Sequence, residues 1–168
     1  MAPPPPTTVP PLAVLVVRIL TFICLLISVI IIVTNTVTIS NGISEVKIKF
    51  NDFYAYRYML STAVLGIAYT LVQSAFTIFR VSTGNRIGGD ASAQIDFYGD
   101  KLISYVLATG AAAGFGLSVD SNRGNGSESS DTKDFFDKAN AAASLLLIGF
   151  LLSAISSVIS SLSLPKSG

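Results

Sequence analysis

Four apolar blocks divide this chain, at about residues 12–34, 58–79, 102–119 and 139–164, and each is long enough to cross a lipid bilayer. A helix rises about 1.5 Å per residue, so about 20 residues span a hydrocarbon layer of about 30 Å. Inside that layer no water is present to bond a free peptide group. A spanning segment must therefore close its own N–H and C=O bonds, which a helix does and a lone strand does not. This overrides local preference in the first block, whose many valines and isoleucines would favour a strand in water. With 51% of 168 residues apolar and 12% charged, too little polarity is left to clothe a soluble globule. The expected fold is an all-α membrane protein, a bundle of four antiparallel transmembrane helices spanning 12–164.

No Ala-x-Ala site follows the first block, so it is predicted to stay in the membrane and not to be cleaved as a signal peptide. Prolines at 3–6, 10 and 11 favour an extended tail over residues 1–11, and residues 165–168 form a second short tail. The connecting segments, 35–57, 80–101 and 120–138, are read as loops without room for a catalytic domain. Strict alternation in Val46-Lys-Ile-Lys-Phe50 is compatible with a short strand at the membrane surface.

Several functions are excluded early. The net charge is +1, histidine is absent, and no basic cluster suits a phosphate backbone, so nucleic acid is not a partner. The single cysteine, Cys24, lies within the first block and reads as a small core residue; alone it forms neither an internal disulfide nor a thiol cage for a metal. No nucleophile, base and orienting group occur together. The chain is expected to be neither an enzyme nor the carrier of a cofactor or metal.

Small residues suggest how the helices meet. Gly110 and Gly114 lie four apart in the third block, and Gly149, Ser153, Ser157 and Ser161 repeat every four residues in the fourth. Such spacing leaves a narrow face against which a neighbouring backbone packs closely, and contact within the chain is the simpler use. Gln73 in the second block is expected to face another helix. Tyr54, Tyr56, Tyr58, Phe97 and Tyr98 sit beside the block ends, where amphipathic rings set helix depth.

Arg18 lies about 9 Å along its helix from Leu12, too deep for an unpartnered guanidinium to be cheap. The first and third helices of an up-down bundle run in the same direction, so Arg18 and Asp100 approach one membrane face. Two readings stay open on these residues alone: a structural ion pair, or an arginine that snorkels to lipid phosphates while Asp100 caps its helix.

Lysines and arginines do not by themselves orient the bundle. Arg18, Arg80, Arg86, Lys101 and Lys166 fall on one side, and Lys47, Lys49, Arg57, Arg123, Lys133 and Lys138 on the other. The sequon at Asn125-Gly-Ser127 favours an extracytosolic third connection, glycosylation at Asn125 and cytosolic termini.

Arg18-Ile19, Tyr56-Arg57-Tyr58-Met59-Leu60 and Asp100 followed by Tyr105-Val-Leu-Ala-Thr-Gly-Ala-Ala-Ala113 resemble the Casparian strip membrane protein-like family of plants, a four-helix group related in fold to MARVEL domains. The resemblance covers nearly the whole chain. It implies that Arg18 and Asp100 are paired intramembrane charges. It also implies a multi-pass plasma-membrane protein with cytosolic termini that forms homodimers or higher homo-oligomers, and hetero-oligomers with related members, and that organises a membrane and cell-wall domain. The aromatic and proline-rich first-loop segment of the strip-forming branch is not found between Asn35 and Arg57, so the likeness is to a divergent CASP-like member. A scaffold or assembly subunit is the leading expectation. A transporter or channel component is the alternative, and a continuous wet cavity would favour it over a dry bundle.

Overall fold

The computed structural model describes residues 11–40, 43–83, 89–124 and 130–162; the proline-rich start, residues 165–168 and Asn125 lie outside them. The described chain forms α1 (Pro11–Thr34), β1 (Thr36–Ser40), β2 (Glu45–Lys49), a short 3-10 turn (Phe50–Asp52), α2 (Tyr54–Thr83), α3 (Gly89–Gly124) and α4 (Ser130–Leu162). Each of the four α-helices is long and apolar enough to cross a membrane, through Leu12–Thr34, Tyr54–Thr83, Gln94–Ser121 and Ser130–Ser161. Each helix packs on its neighbours in sequence, and α4 closes the ring against α1.

The distribution of polarity is that of a protein dissolved in lipid. Leu26, Ile30, Leu71, Phe76, Leu151 and Ile155 point outward, whereas Arg18, Ser28, Thr62, Gln73, Asp100, Ser118 and Ser156 are buried. Water would penalise so broad an apolar exterior, but hydrocarbon does not. The polar groups turn inward because only other polar groups satisfy them there. The Ser28 hydroxyl donates to the Ala142 carbonyl of α4 at 2.7 Å, and the Tyr56 and Ser118 hydroxyls join α2 to α3 at 3.2 Å. Between these bonds lies a core of Leu25, Met59, Leu107, Leu146 and several alanines.

Three helices run well past their apolar blocks. α3 has 36 residues and is about 54 Å long, more than a hydrocarbon layer of about 30 Å requires. α4 begins at Ser130, within a segment read as loop, for an identifiable reason. Phe135, Phe136, Ala139, Ala142, Ala143 and Leu146 are all buried, a spacing of one, three and four residues that keeps one helical face against the core. The apolar face continues where the apolar block has already ended.

Pro11 opens α1, where its missing N–H costs no intrahelical bond. At the other end Asn35 leaves the helix and its side-chain amide donates to the Phe135 carbonyl at 2.7 Å, seating the exit on α4. The hairpin follows, with Val37 opposite Ile48 and Ile39 opposite Val46 in antiparallel register. These four share one face, and Val37 is buried, with β1 resting against α4. Thr36, Thr38, Lys47 and Lys49 make the exposed opposite face. The segment read as a short strand is thus one half of an amphipathic hairpin.

Candidate functional site

Toward the Pro11 end of α1, all four helices converge on one buried polar cluster. Arg18 and Asp100 are 4% and 3% exposed, so neither reaches the bundle surface. One guanidinium nitrogen, Nη2, lies 3.5 Å from Asp100 Oδ2. This is a single long contact and not a two-pronged one, which would place two nitrogens at about 2.7–2.9 Å. The other nitrogen, Nη1, donates to the Gln73 carbonyl at 3.1 Å and to the Thr77 hydroxyl at 2.5 Å. Thr77 in turn donates to the same carbonyl, one turn earlier, at 2.9 Å.

The carboxylate is held mainly by hydroxyls. Tyr69 donates to Asp100 Oδ1 and Ser156 to Oδ2, each at 2.8 Å. Since the Tyr69 proton goes to the carboxylate, its oxygen accepts from Gln73 Nε2 at 3.0 Å. Gly99 makes room for this, because a Cβ there would run into the Tyr69 ring. The cluster therefore takes Arg18 from α1, Tyr69, Gln73 and Thr77 from α2, Asp100 from α3 and Ser156 from α4. Apart from Thr77, these same residues, with Thr21, Thr70 and Ser153, line a cavity of about 10 Å³. That is close to the smallest space that admits one water, roughly 10–15 Å³.

Gln73 faces the other helices, as its place in an apolar block implies. Tyr69, Thr77 and Ser156 carry no such signal. In the sequence Tyr69 is one aromatic among apolar neighbours, Thr77 one of several threonines, and Ser156 falls between the members of the four-residue repeat. Four residues overshoot a helical turn by about 40°, so the face marked by Gly149 and Ser153 rotates away from Ser157 and Ser161. Ser153 is buried; Ser157 donates to the Phe97 carbonyl at 3.4 Å; Ser161 is half-buried and bonds its own helix at Val158. Ser156, three residues after Ser153, is the one that meets the carboxylate.

The glycines are placed at close approaches. Gly110 lies between Thr62 of α2 and Leu146 of α4, and Gly114 between Met59 and Ala143. A Cβ at Gly110 would sit 2.9 Å from Thr62 Cβ and 3.1 Å from Leu146 Cδ2, so the backbone of α3 uses the missing methyl to seat two neighbours. Gly149 faces Leu25 and Leu107. Gly66, which sequence spacing does not single out, faces the same two leucines from α2.

Nothing in the cluster is arranged for chemistry. The Ser156 and Tyr69 hydroxyls meet a carboxylate that is already held beside Arg18, and among the described residues no three His, Cys, Asp or Glu side chains gather to hold a metal. Its arrangement consumes charge internally: one cation, one anion and the hydroxyls between them.

The family model for the Casparian strip membrane protein domain matches residues 8–152. A CASP-like protein 4D1 of Ricinus communis is 53% identical over 167 residues, covering 99% of both chains. One of Glycine max with the same name is 52% identical, covering 90% of this chain and 86% of its own. A CASP-like protein 4D2 of Arabidopsis thaliana is 47% identical over 90% of this chain and 89% of its own. No solved structure matches. The chain belongs to the plant Casparian strip membrane protein family and is, with that family, a non-enzymatic multi-pass protein of the plasma membrane.

Proposed function

We propose that this chain is a scaffold subunit that assembles with copies of itself and with related family members, and so organises a patch of plasma membrane and the adjoining cell wall. One observation carries this reading: the polar groups of the cluster are spent largely on one another. Arg18, Asp100, Gln73, Tyr69, Thr77 and Ser156 bond across the four helices and leave about 10 Å³ between them. A conduction path needs a continuous wet lumen, and the cluster leaves none of the hundreds of cubic ångströms that a solute pocket needs; the space of about 630 Å³ beside Phe115, Leu117 and Arg123 is an open depression that none of the cluster residues lines. A bundle with a rigid interior and an apolar exterior is instead suited to lateral packing with other helices and with lipids.

In this reading 12–164 is the membrane domain, Arg18 and Asp100 are its structural ion pair, and Gly110, Gly114, Gly149, Ser153, Ser157 and Ser161 are its packing positions. The tails at 1–11 and 165–168 face the cytosol, and Asn125 faces outward and carries a glycan. The sequon supports this orientation. Protease protection in sealed vesicles tests it, and cleavage of the 120–138 segment from the cytosolic side reverses it.

Assembly is tested by co-expressing two differently tagged copies, cross-linking intact membranes and purifying through one tag. Recovery of the second tag is expected. Recovery of none, together with ion flux from the purified protein in liposomes, would overturn the scaffold reading in favour of transport.

A further inference from the structure

Two atoms in the polar cluster are left without a bond, and they are chemically complementary. Arg18 Nε and Gln73 Oε1 are buried with no hydrogen-bond partner. One is an obligatory donor and the other an acceptor. The Gln73 amide cannot be turned over to remove the mismatch, because its Nε2 already donates to a Tyr69 oxygen whose proton is given to Asp100. Turning it would set the amide oxygen against a hydroxyl oxygen with no proton to share. Leaving both atoms bare inside a bilayer is costly, yet the side chains that carry them line the same small cavity.

We infer that this cavity is a binding site for a single water molecule, which accepts from Arg18 Nε and donates to Gln73 Oε1. The remaining lining completes its coordination. Thr21 donates to the Val17 carbonyl at 2.9 Å and Thr70 to the Gly66 carbonyl at 2.5 Å, so each hydroxyl oxygen keeps lone pairs for the second hydrogen. Three bonds are the usual number for a buried water, and about 10 Å³ is close to the smallest space that admits one and leaves no room for a second.

Ions do not meet the same requirement. A cation cannot accept from Nε–H and would lie beside the guanidinium. An anion cannot donate to Oε1 and would lie beside Asp100. Only a small molecule that both donates and accepts bonds both atoms. The water site thus goes beyond the scaffold reading and does not depend on it: it holds α1 to α2 whether or not the chain assembles with others.

The test is a structure of the full chain in lipid nanodiscs, by electron cryomicroscopy at a resolution that shows ordered water, and from crystals grown in bromide. One peak at about 2.7–3.2 Å from both Arg18 Nε and Gln73 Oε1, with no anomalous signal in bromide, is expected. A cavity without density, a direct bond between the two side chains, or a bromide signal at the site would each overturn the proposal. Gln73→Met keeps the length of the side chain and removes the acceptor, and the peak should disappear from it. A peak of unchanged height in that variant would also overturn the assignment, and the wild-type result stands as the test if the variant does not fold.

Discussion

The two ends of the bundle are fastened by different physics. At the end that holds Arg18 and Asp100, directed bonds from all four helices meet on a buried charge pair. At the opposite end, Phe53, Tyr56, Phe135 and Phe136 pack ring on ring, with centroids 5.5 Å apart for Phe135 and Phe136 and 6.0 Å for Tyr56 and Phe135. Ring packing tolerates small rotations and can be refilled by other apolar groups. A hydrogen bond to a charge loses most of its strength when a helix turns. The polar end therefore sets helix rotation and register, and the aromatic end closes the bundle and seats the hairpin.

The largest effect should come from splitting the charge pair. Arg18→Ala or Asp100→Ala alone leaves an uncompensated buried charge and should cost about 3–5 kcal/mol. The double variant should cost less than the sum. Unfolding of detergent-solubilised protein around the four-member cycle measures this, and losses additive within about 0.5 kcal/mol would mean the two charges are independent.

At the other end Phe135→Ala should cost about 3 kcal/mol, the lower part of the range for buried aromatics. Phe135→Leu should regain most of that, since filling volume is what the site demands. If leucine is no better than alanine in the same unfolding assay, the aromatic end is as geometrically exacting as the polar one, and the contrast fails.

Deleting a single hydroxyl sharpens the comparison. Tyr69→Phe removes a bond to the Asp100 carboxylate and should cost about 1.5–3 kcal/mol. Tyr56→Phe removes a bond between two neutral hydroxyls and should cost about 0.6 kcal/mol, the average for such pairs in membrane helices. Equal losses in thermal unfolding would show that charge adds nothing to the first bond.

Two glycines of α3 differ in the same way, and the smallest effect of all belongs to Gly116. Gly110→Ala pushes a methyl into the Thr62 hydroxyl and Cβ and into Leu146 and should cost about 2–3 kcal/mol, because Thr62 Cβ is fixed to its own helix and α2 and α3 must move apart. A methyl added at Gly116 would meet nothing within 4 Å, so Gly116→Ala should be neutral or stabilise by less than about 1 kcal/mol. A loss at Gly116 equal to that at Gly110 would reveal a neighbour outside the single chain.

Much of the architecture is legible from residue chemistry. The length and apolarity of the four blocks demand helices, since lipid offers peptide groups no alternative partner. The alternation at Val46–Phe50 marks half of the hairpin; its partner β1 goes unnoticed because Thr36-Val-Thr-Ile-Ser40 follows directly on an apolar helix. The start of α4 is missed for a related reason. Phe135 and Phe136 stand among charged residues, and only their spacing to Ala139 and Ala142 joins them to the core face.

Sequence by itself determined that four helices cross the membrane and that an arginine and an aspartate lie near one end of parallel helices. Both follow from hydropathy and the fixed rise per residue. Only the tertiary structure decided that Asp100 is held by Tyr69 and Ser156, that Arg18 reaches Thr77, and that Gly110 and Gly114 receive α2 and α4. Those pairings depend on how far each helix is rotated and slid against its neighbours. Rotation and slide are fixed by the packing of all four helices at once, which no single segment encodes.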